Sequence, residues 1–100
     1  MKDFDVIKWI EDKDAEDMRS LLKEKWGRRF VWRFLSKAGV FSQSFNADAS
    51  IMAFNEGRRS IGLTLLSQVM EINPEAYLQM AKSNKKEEEY VRQCTRPDPE

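Results

Sequence analysis

Hydrophobic residues recur at intervals of three and four along most of the chain, which is the spacing of one face of an α-helix. Met18, Leu21 and Leu22 begin this repeat. Two adjacent lines follow, one aromatic and one aliphatic: Trp26, Phe30 and Phe34, and Val31, Leu35 and Ala38. The pattern predicts an all-α protein, in which Gly27 either kinks one long helix or separates two.

A glycine and several polar residues mark the predicted helix ends. Gly39 stands where a C′ glycine ends a helix, and Val40 follows at the position of the hydrophobic contact in a Schellman motif. Asp48 is the predicted N-cap of the longest helix. Asn73 and Pro74 predict the N-cap and the first residue of a last helix.

The longest predicted helix, about residues 49–72, has a wide apolar stripe. One line consists of Ile51, Phe54, Ile61, Leu65, Val69 and Ile72, and it is widened by Met52, Leu63, Leu66 and Met70. This width predicts burial on two sides, by the core and by another helix or subunit. Gly57 and Gly62 each cost about 1 kcal/mol relative to Ala inside a helix. We expect close approach of a neighbouring helix to explain both.

The segment VFSQSFNADAS, between the two central helices, is the main predicted loop. We expect Phe41 and Phe45 to point inward as anchors of this otherwise polar loop.

These elements predict a small helical bundle in three parts. Residues 1–17 form an acidic arm, residues 18–83 the core of the bundle, and residues 84–100 a polar helix extension and tail. The acidic arm is either a short amphipathic helix or a segment that becomes ordered against a partner. The N-terminus is too acidic for a signal peptide, and no apolar run approaches the roughly 18 residues of a membrane span. We expect a protein kept in a reducing compartment.

The composition argues against most enzyme chemistry. The chain has no His and a single Cys, Cys94. It therefore has no His-based catalysis or metal binding, no internal disulfide and no multi-thiolate zinc site. No serine has a histidine base, and no pair of carboxylates lies in an apolar setting. We expect neither an enzyme nor a cofactor, a metal or a small-molecule substrate.

Charge is balanced overall, with 17 basic and 17 acidic residues, but it is unevenly placed. Residues 1–17 carry a net charge of −4, and residues 18–37 carry +6. The basic residues that share or flank one helix face are Lys25, Arg28, Arg29, Arg33 and Lys37. This face predicts contact with nucleic acid phosphates or with an acidic partner, unless it is simply solvated. The acidic arm and the basic helix are also candidates for pairing, within one molecule or head to tail between copies.

The stretch FNEGRRSIGLTLL is the most distinctive in the sequence. Glu56 and Arg59 are three residues apart, and Glu56 is also placed to reach Arg58 of a neighbouring copy. We predict an Arg–carboxylate lock at an interface that comprises Phe54, Glu56, Gly57, Arg58, Arg59, Gly62 and Leu66. The alternative is a surface ion pair that contributes at most about 1 kcal/mol.

Three stretches in order, WRFLSKAGVFSQSF, FNEGRRSIGLTLL and PEAYLQM, resemble a family of small virion-module proteins of tailed, notably short-tailed, bacteriophages. The resemblance covers about residues 26–81. The matching positions are Gly39, Phe41, Phe45, Phe54, Glu56, Gly57, Arg58, Arg59, Gly62, Leu63, Pro74, Tyr77 and Met80. Ala38 stands where we expect Cys in relatives, which argues against a thiol role.

The resemblance implies an oligomeric structural protein of the virion, internal to the head or associated with the portal, and either retained or ejected with the genome. Its partners would be further copies and other virion proteins, with nucleic acid as an additional candidate. It would be made in the host bacterial cytoplasm. One alternative is a nucleic-acid-binding accessory factor for genome packaging or regulation. Another is a small early protein that inhibits a host enzyme.

Overall fold

The computed structural model describes residues 4–96, which form four α-helices. The helices are α1 (Val6–Lys23), α2 (Lys25–Lys37), α3 (Ala49–Ile72) and α4 (Pro74–Cys94). The short helix α2 packs against each of the other three. No β-strand occurs in the described part of the chain, so the all-α prediction is confirmed. The ends of the predicted arm and tail, residues 1–3 and 97–100, lie outside the described residues.

The break between α1 and α2 lies at Glu24, whose backbone is extended (φ −93°, ψ 139°). Gly27 is not the break: it is buried in the first turn of α2, where a Cβ atom would collide with the Leu21 carbonyl oxygen. Glycine therefore lets the start of α2 pack directly on the end of α1.

The Arg28 side chain completes this junction. Its Nη1 atom donates hydrogen bonds to the carbonyl oxygens of Leu22 (2.8 Å) and Lys23 (3.0 Å). Carbonyl groups in the last turn of a helix have no partner within the helix, so Arg28 acts as a cap for α1.

The predicted Schellman ending of α2 is present. Gly39 has a φ of +80°, and its N–H donates to the Ser36 carbonyl (3.1 Å). The N–H of Val40 donates to the Leu35 carbonyl (3.2 Å), and the Val40 side chain is buried. These are the two hydrogen bonds that define the motif.

Both predicted N-caps are also confirmed. The Asp48 carboxylate accepts hydrogen bonds from the backbone N–H groups of Ser50 (2.8 Å) and Ile51 (3.2 Å). The side chain of Asn73 accepts one from the N–H of Ala76 (3.2 Å). These side chains satisfy N–H groups that the first turns of α3 and α4 leave without partners.

The hydrophobic core is small and centres on α2. Its buried members are Leu22, Val31, Leu35, Ala38, Val40, Val69, Ala76 and Met80. Gly62 lets α3 approach this core closely, because a Cβ atom there would lie 2.5 Å from Val40 Cγ2 and 2.6 Å from Ala38 Cβ. The close approach expected at Gly62 is therefore present. Gly57 differs, since its Cβ position has no such neighbour within 4 Å.

Only part of the predicted stripe on α3 is buried in the protomer. Val69 is fully buried, whereas Ile51, Phe54 and Ile61 are 48%, 67% and 64% exposed. The C-terminal half of α3 therefore packs on the core, and the N-terminal half extends beyond it. The Cα radius of gyration of 18.2 Å is well above the about 13 Å of a compact 100-residue domain.

The inward orientation expected for Phe45 is wrong. Phe45 is 78% exposed. Hydrogen bonds of polar side chains fix the loop, and an inward-pointing ring is not needed. The Asn55 side-chain amide donates to the Ser44 carbonyl (3.4 Å), and the Asn46 side chain accepts from the Asp48 N–H (2.8 Å). Phe41 lies against α2 but remains 47% exposed.

The two glycines of α3 allow a matched test of this packing. We expect Gly62→Ala to lower the free energy of unfolding by about 1–3 kcal/mol, because the added methyl group overpacks the contact with Ala38 and Val40. The same change at Gly57 meets open space, so it should raise the free energy of unfolding by up to about 1 kcal/mol through the higher helix propensity of Ala. Urea denaturation followed by circular dichroism measures both. Equal effects of the two substitutions would contradict the packing described at Gly62.

The cap formed by Arg28 makes a second prediction. Arg28→Ala should lower the free energy of unfolding by about 1–3 kcal/mol, since two hydrogen bonds from a charged donor are lost. Arg29→Ala is the control, because Arg29 is exposed and should change stability by less than about 0.5 kcal/mol. Denaturation curves in which the two variants coincide would show that Arg28 does not stabilise the junction.

Candidate binding groove

A groove runs between α2 and α4. It consists of two adjoining cavities of about 320 and 590 Å³, which share Trp32, Arg33 and Asn84 in their walls. We call it the α2/α4 groove. The basic side of the groove comes from α2 and consists of Lys25, Arg28, Arg29, Arg33 and Lys37. The floor consists of Trp32, Phe41 and Tyr77. The far wall comes from α4 and consists of Ser83, Asn84, Glu87 and Glu88.

Three aromatic rings form the floor of the groove. Trp32 stacks on Phe41, with ring centroids 4.7 Å apart and planes at 28°. Tyr77 of α4 lies on Trp32 in a tilted arrangement at 6.0 Å. The turn at Gly39 reverses the chain and returns Phe41 to α2, which explains why this ring, unlike that of Phe45, has a partner. The floor is therefore an apolar surface beside a row of cations.

The structure brings all five predicted basic residues to this groove, but they do not have the same role. Arg28 is held by the carbonyl groups of α1. The other four are exposed, and none forms an ion pair with the glutamates of α4. Across residues 4–96, the one ion pair joins Lys13 to Glu16 at 3.6 Å. Four cations of the groove thus remain available to an anionic ligand.

The predicted interface residues of α3 do not form one surface. Phe54, Glu56, Gly57 and Arg58 are exposed. Gly62 is buried and Leu66 packs against the core, so both serve the protomer's own fold. The predicted interface is therefore reduced to the N-terminal half of α3.

The Arg–carboxylate lock does not form within the protomer. Within residues 4–96, Glu56 takes part in no ion pair. The Arg58 guanidinium lies 5.8 Å from the centre of the Phe54 ring instead. Arg59 is half-buried, and its Nε atom is shielded from solvent without a hydrogen-bond partner. The version of the lock that joins two copies stays a prediction.

Sequence reasoning identified the basic side of the groove and missed the rest. Phe41 is predicted as a loop anchor, Tyr77 is only one of the positions of the family resemblance, and Trp32 has no predicted role. The rings meet only because α2, the loop and α4 converge, and no local spacing signals a contact between residues 32 and 77. The same holds for the α4 wall, most of which falls in the predicted polar helix extension of residues 84–100.

Comparison with known proteins relates this chain to a protein family. No curated protein and no solved structure is significantly similar to this chain. None of the helices in residues 4–96 has the length and apolar character needed to cross a membrane. The family described as Bbp19-like phage protein matches residues 18–82, which run from the second half of α1 into α4. Because this match covers most of the sequence and nearly all of the core, the chain belongs to the Bbp19-like phage protein family.

Proposed function

We propose that the protein is a structural component of the phage virion, located inside the head or at the portal, and that it acts by assembly and not by catalysis. Its partners in this role are further copies of itself and neighbouring virion proteins. Membership of a bacteriophage protein family supports the setting. The assembly role rests on the amount of surface that the protomer leaves exposed.

The protomer exposes much more surface than a monomer of its size. Its accessible area is 8453 Å² for a mass of 11.8 kDa. Folded monomers of that mass expose roughly 5,900 Å². The excess of roughly 2,500 Å² exceeds the about 800 Å² that each partner contributes to a standard interface. Exposed large apolar side chains on α1, α2 and α3 contribute to this excess area. The area is sufficient for more than one contact per copy.

The N-terminal half of α3 is the best candidate for one of these contacts. Phe54, Gly57 and Ile61 follow one another along the helix at intervals of three and four. The two large side chains are exposed, and the glycine between them leaves a notch with open space above it. A helix from a neighbouring copy is able to approach its backbone closely at this notch.

The charged residues beside the notch support the same proposal. Glu56 and Arg58 have no ionic partner within the described protomer. These side chains would fix the register of two copies.

Incorporation into particles tests the proposal. We expect the wild-type protein in gradient-purified virions at a reproducible copy number, measured by quantitative mass spectrometry. Gly57→Leu should reduce that number several-fold because it fills the notch, although the added Cβ atom has no neighbour within 4 Å in the protomer. Ser67→Leu is the matched control, since Ser67 is an exposed residue in the C-terminal half of α3, about three turns beyond the notch. Absence of the wild-type protein from particles would contradict the proposal.

The α2/α4 groove supports a second candidate function, a nucleic-acid-binding accessory factor for packaging or regulation. Four available cations lie beside three aromatic rings, which is the combination that single-stranded nucleic acid binds. The glutamates on the opposite wall weaken this candidate, because they repel phosphate groups.

This candidate has its own test. Arg29→Glu with Arg33→Glu should abolish binding of a labelled oligonucleotide in fluorescence anisotropy, and wild-type binding should weaken steeply with salt. Lys85→Glu with Lys86→Glu makes the same change in charge on α4 residues outside the groove and should have a much smaller effect. If the wild-type protein does not bind DNA or RNA at low salt, this candidate is excluded.

A further inference from the structure

Residues 6–17 of the acidic arm form the N-terminal part of α1. Asp5 is the N-cap of α1, and its carboxylate accepts a hydrogen bond from the Lys8 N–H (3.0 Å). The rings of Phe4 and Trp9, the residues on either side of this turn, lie 6.4 Å apart. A contact between these two positions is a hydrophobic staple, which fixes the start of a helix. The cap and the staple both favour the helical form of the arm, which presents a regular surface to a partner.

One side of the arm faces α3, and the opposite side faces away from it. Glu11, Ala15 and Met18 line a cavity of about 340 Å³ against α3. Trp9, Asp12 and Glu16 are spaced at three and four residues and fall on the opposite side of the helix. Trp9 is 51% exposed, and both carboxylates are exposed. This outer side is a tryptophan next to two acidic residues.

The α2/α4 groove has the complementary chemistry, an aromatic floor beside basic residues. We propose that the acidic arm of one copy docks in the α2/α4 groove of a second copy. Trp9 lies on the stacked rings of Trp32 and Phe41, and the carboxylates of the arm pair with Arg29 and Arg33. The inference rests on the proposed assembly of copies and adds the surfaces by which they join.

Charge favours the arm over a nucleic acid as the occupant of the groove. Residues 4–17 carry a net charge of −4, which suits the four available cations. The opposite wall carries Glu87 and Glu88, which repel a phosphate backbone but are able to accept hydrogen bonds from Lys13 of the arm. Lys13 has only an exposed ion pair with Glu16, which contributes little and is readily exchanged.

The geometry of such a contact has a consequence for assembly. The arm and the groove are different surfaces, so each copy has one of each and the contact is heterologous. Contacts of this kind produce rings when the rotation closes and filaments when it does not. A tryptophan that enters an aromatic pocket is also the kind of residue on which binding energy concentrates.

A charge-swap experiment on the full chain tests this contact. The arm variant is Asp12→Lys with Glu16→Lys, and the groove variant is Arg29→Glu with Arg33→Glu. All four side chains are exposed, so we expect both variants to keep the fold, as checked by circular dichroism. Each variant alone should lose at least half of the wild-type assembly mass, measured by sedimentation velocity. Mixed in equal amounts, they should regain it, because each altered arm then meets a groove of opposite charge.

Lys85→Glu with Lys86→Glu is the control for added negative charge and should keep the wild-type mass. A wild-type mass of 11.8 kDa across a concentration series would overturn the inference. It would also be overturned if both variants kept the wild-type mass, or if the mixture failed to regain it. If the groove variant lost oligonucleotide binding while its assembly mass stayed unchanged, the groove would be a nucleic-acid-binding site and not the docking site of the arm. Incorporation into virions is measured separately, so failure of the docking contact is distinguishable from failure of the proposed function.

Discussion

Close packing around α2 is the contact on which the rest of the structure depends. At its start, Gly27 lies directly against the last turn of α1, and at its end Ala38 and Val40 lie directly on Gly62 of α3. Between these points, Val31 and Leu35 are fully buried. A side chain at either glycine would push a neighbouring helix away. A helix of 13 residues is thereby able to hold three longer helices together.

Because the core forms around the short helix α2, most of each longer helix lies outside it. The outer turns of α1, the first half of α3 and the last turns of α4 extend beyond the buried cluster. The result is an elongated protomer with principal-axis extents of 76 × 38 × 15 Å. An elongated shape with exposed apolar side chains is poorly suited to an isolated protein, because such patches favour association. The proposed assembly would use the same features, with neighbouring copies supplying the missing half of each contact.

The helix α2 also has more than one role around its circumference. One side carries the buried aliphatic line, a second carries Trp32 and the cations of the α2/α4 groove, and a third carries the exposed line Trp26, Phe30 and Phe34. Substitutions in this helix therefore affect stability or binding according to the side on which they fall. Arg28 and Arg29 are neighbours in sequence and both line the groove, yet only Arg28 also caps α1.

Local features of the fold are predictable from the sequence: the helical class, the glycine ending at Gly39, the N-caps Asp48 and Asn73, and the aliphatic line on α2. These depend on residues within a few positions of one another, so spacing and side-chain chemistry are sufficient to predict them. The tertiary structure alone decided which apolar positions are buried, since Phe54 and Val69 belong to one periodic stripe but have opposite environments. It also decided that Gly62 is packed while Gly57 is open, and that Phe41 joins Trp32 and Tyr77 at the floor of a groove. These outcomes depend on contacts between residues far apart in the chain, and the periodicity of a single helix contains no information about its neighbours.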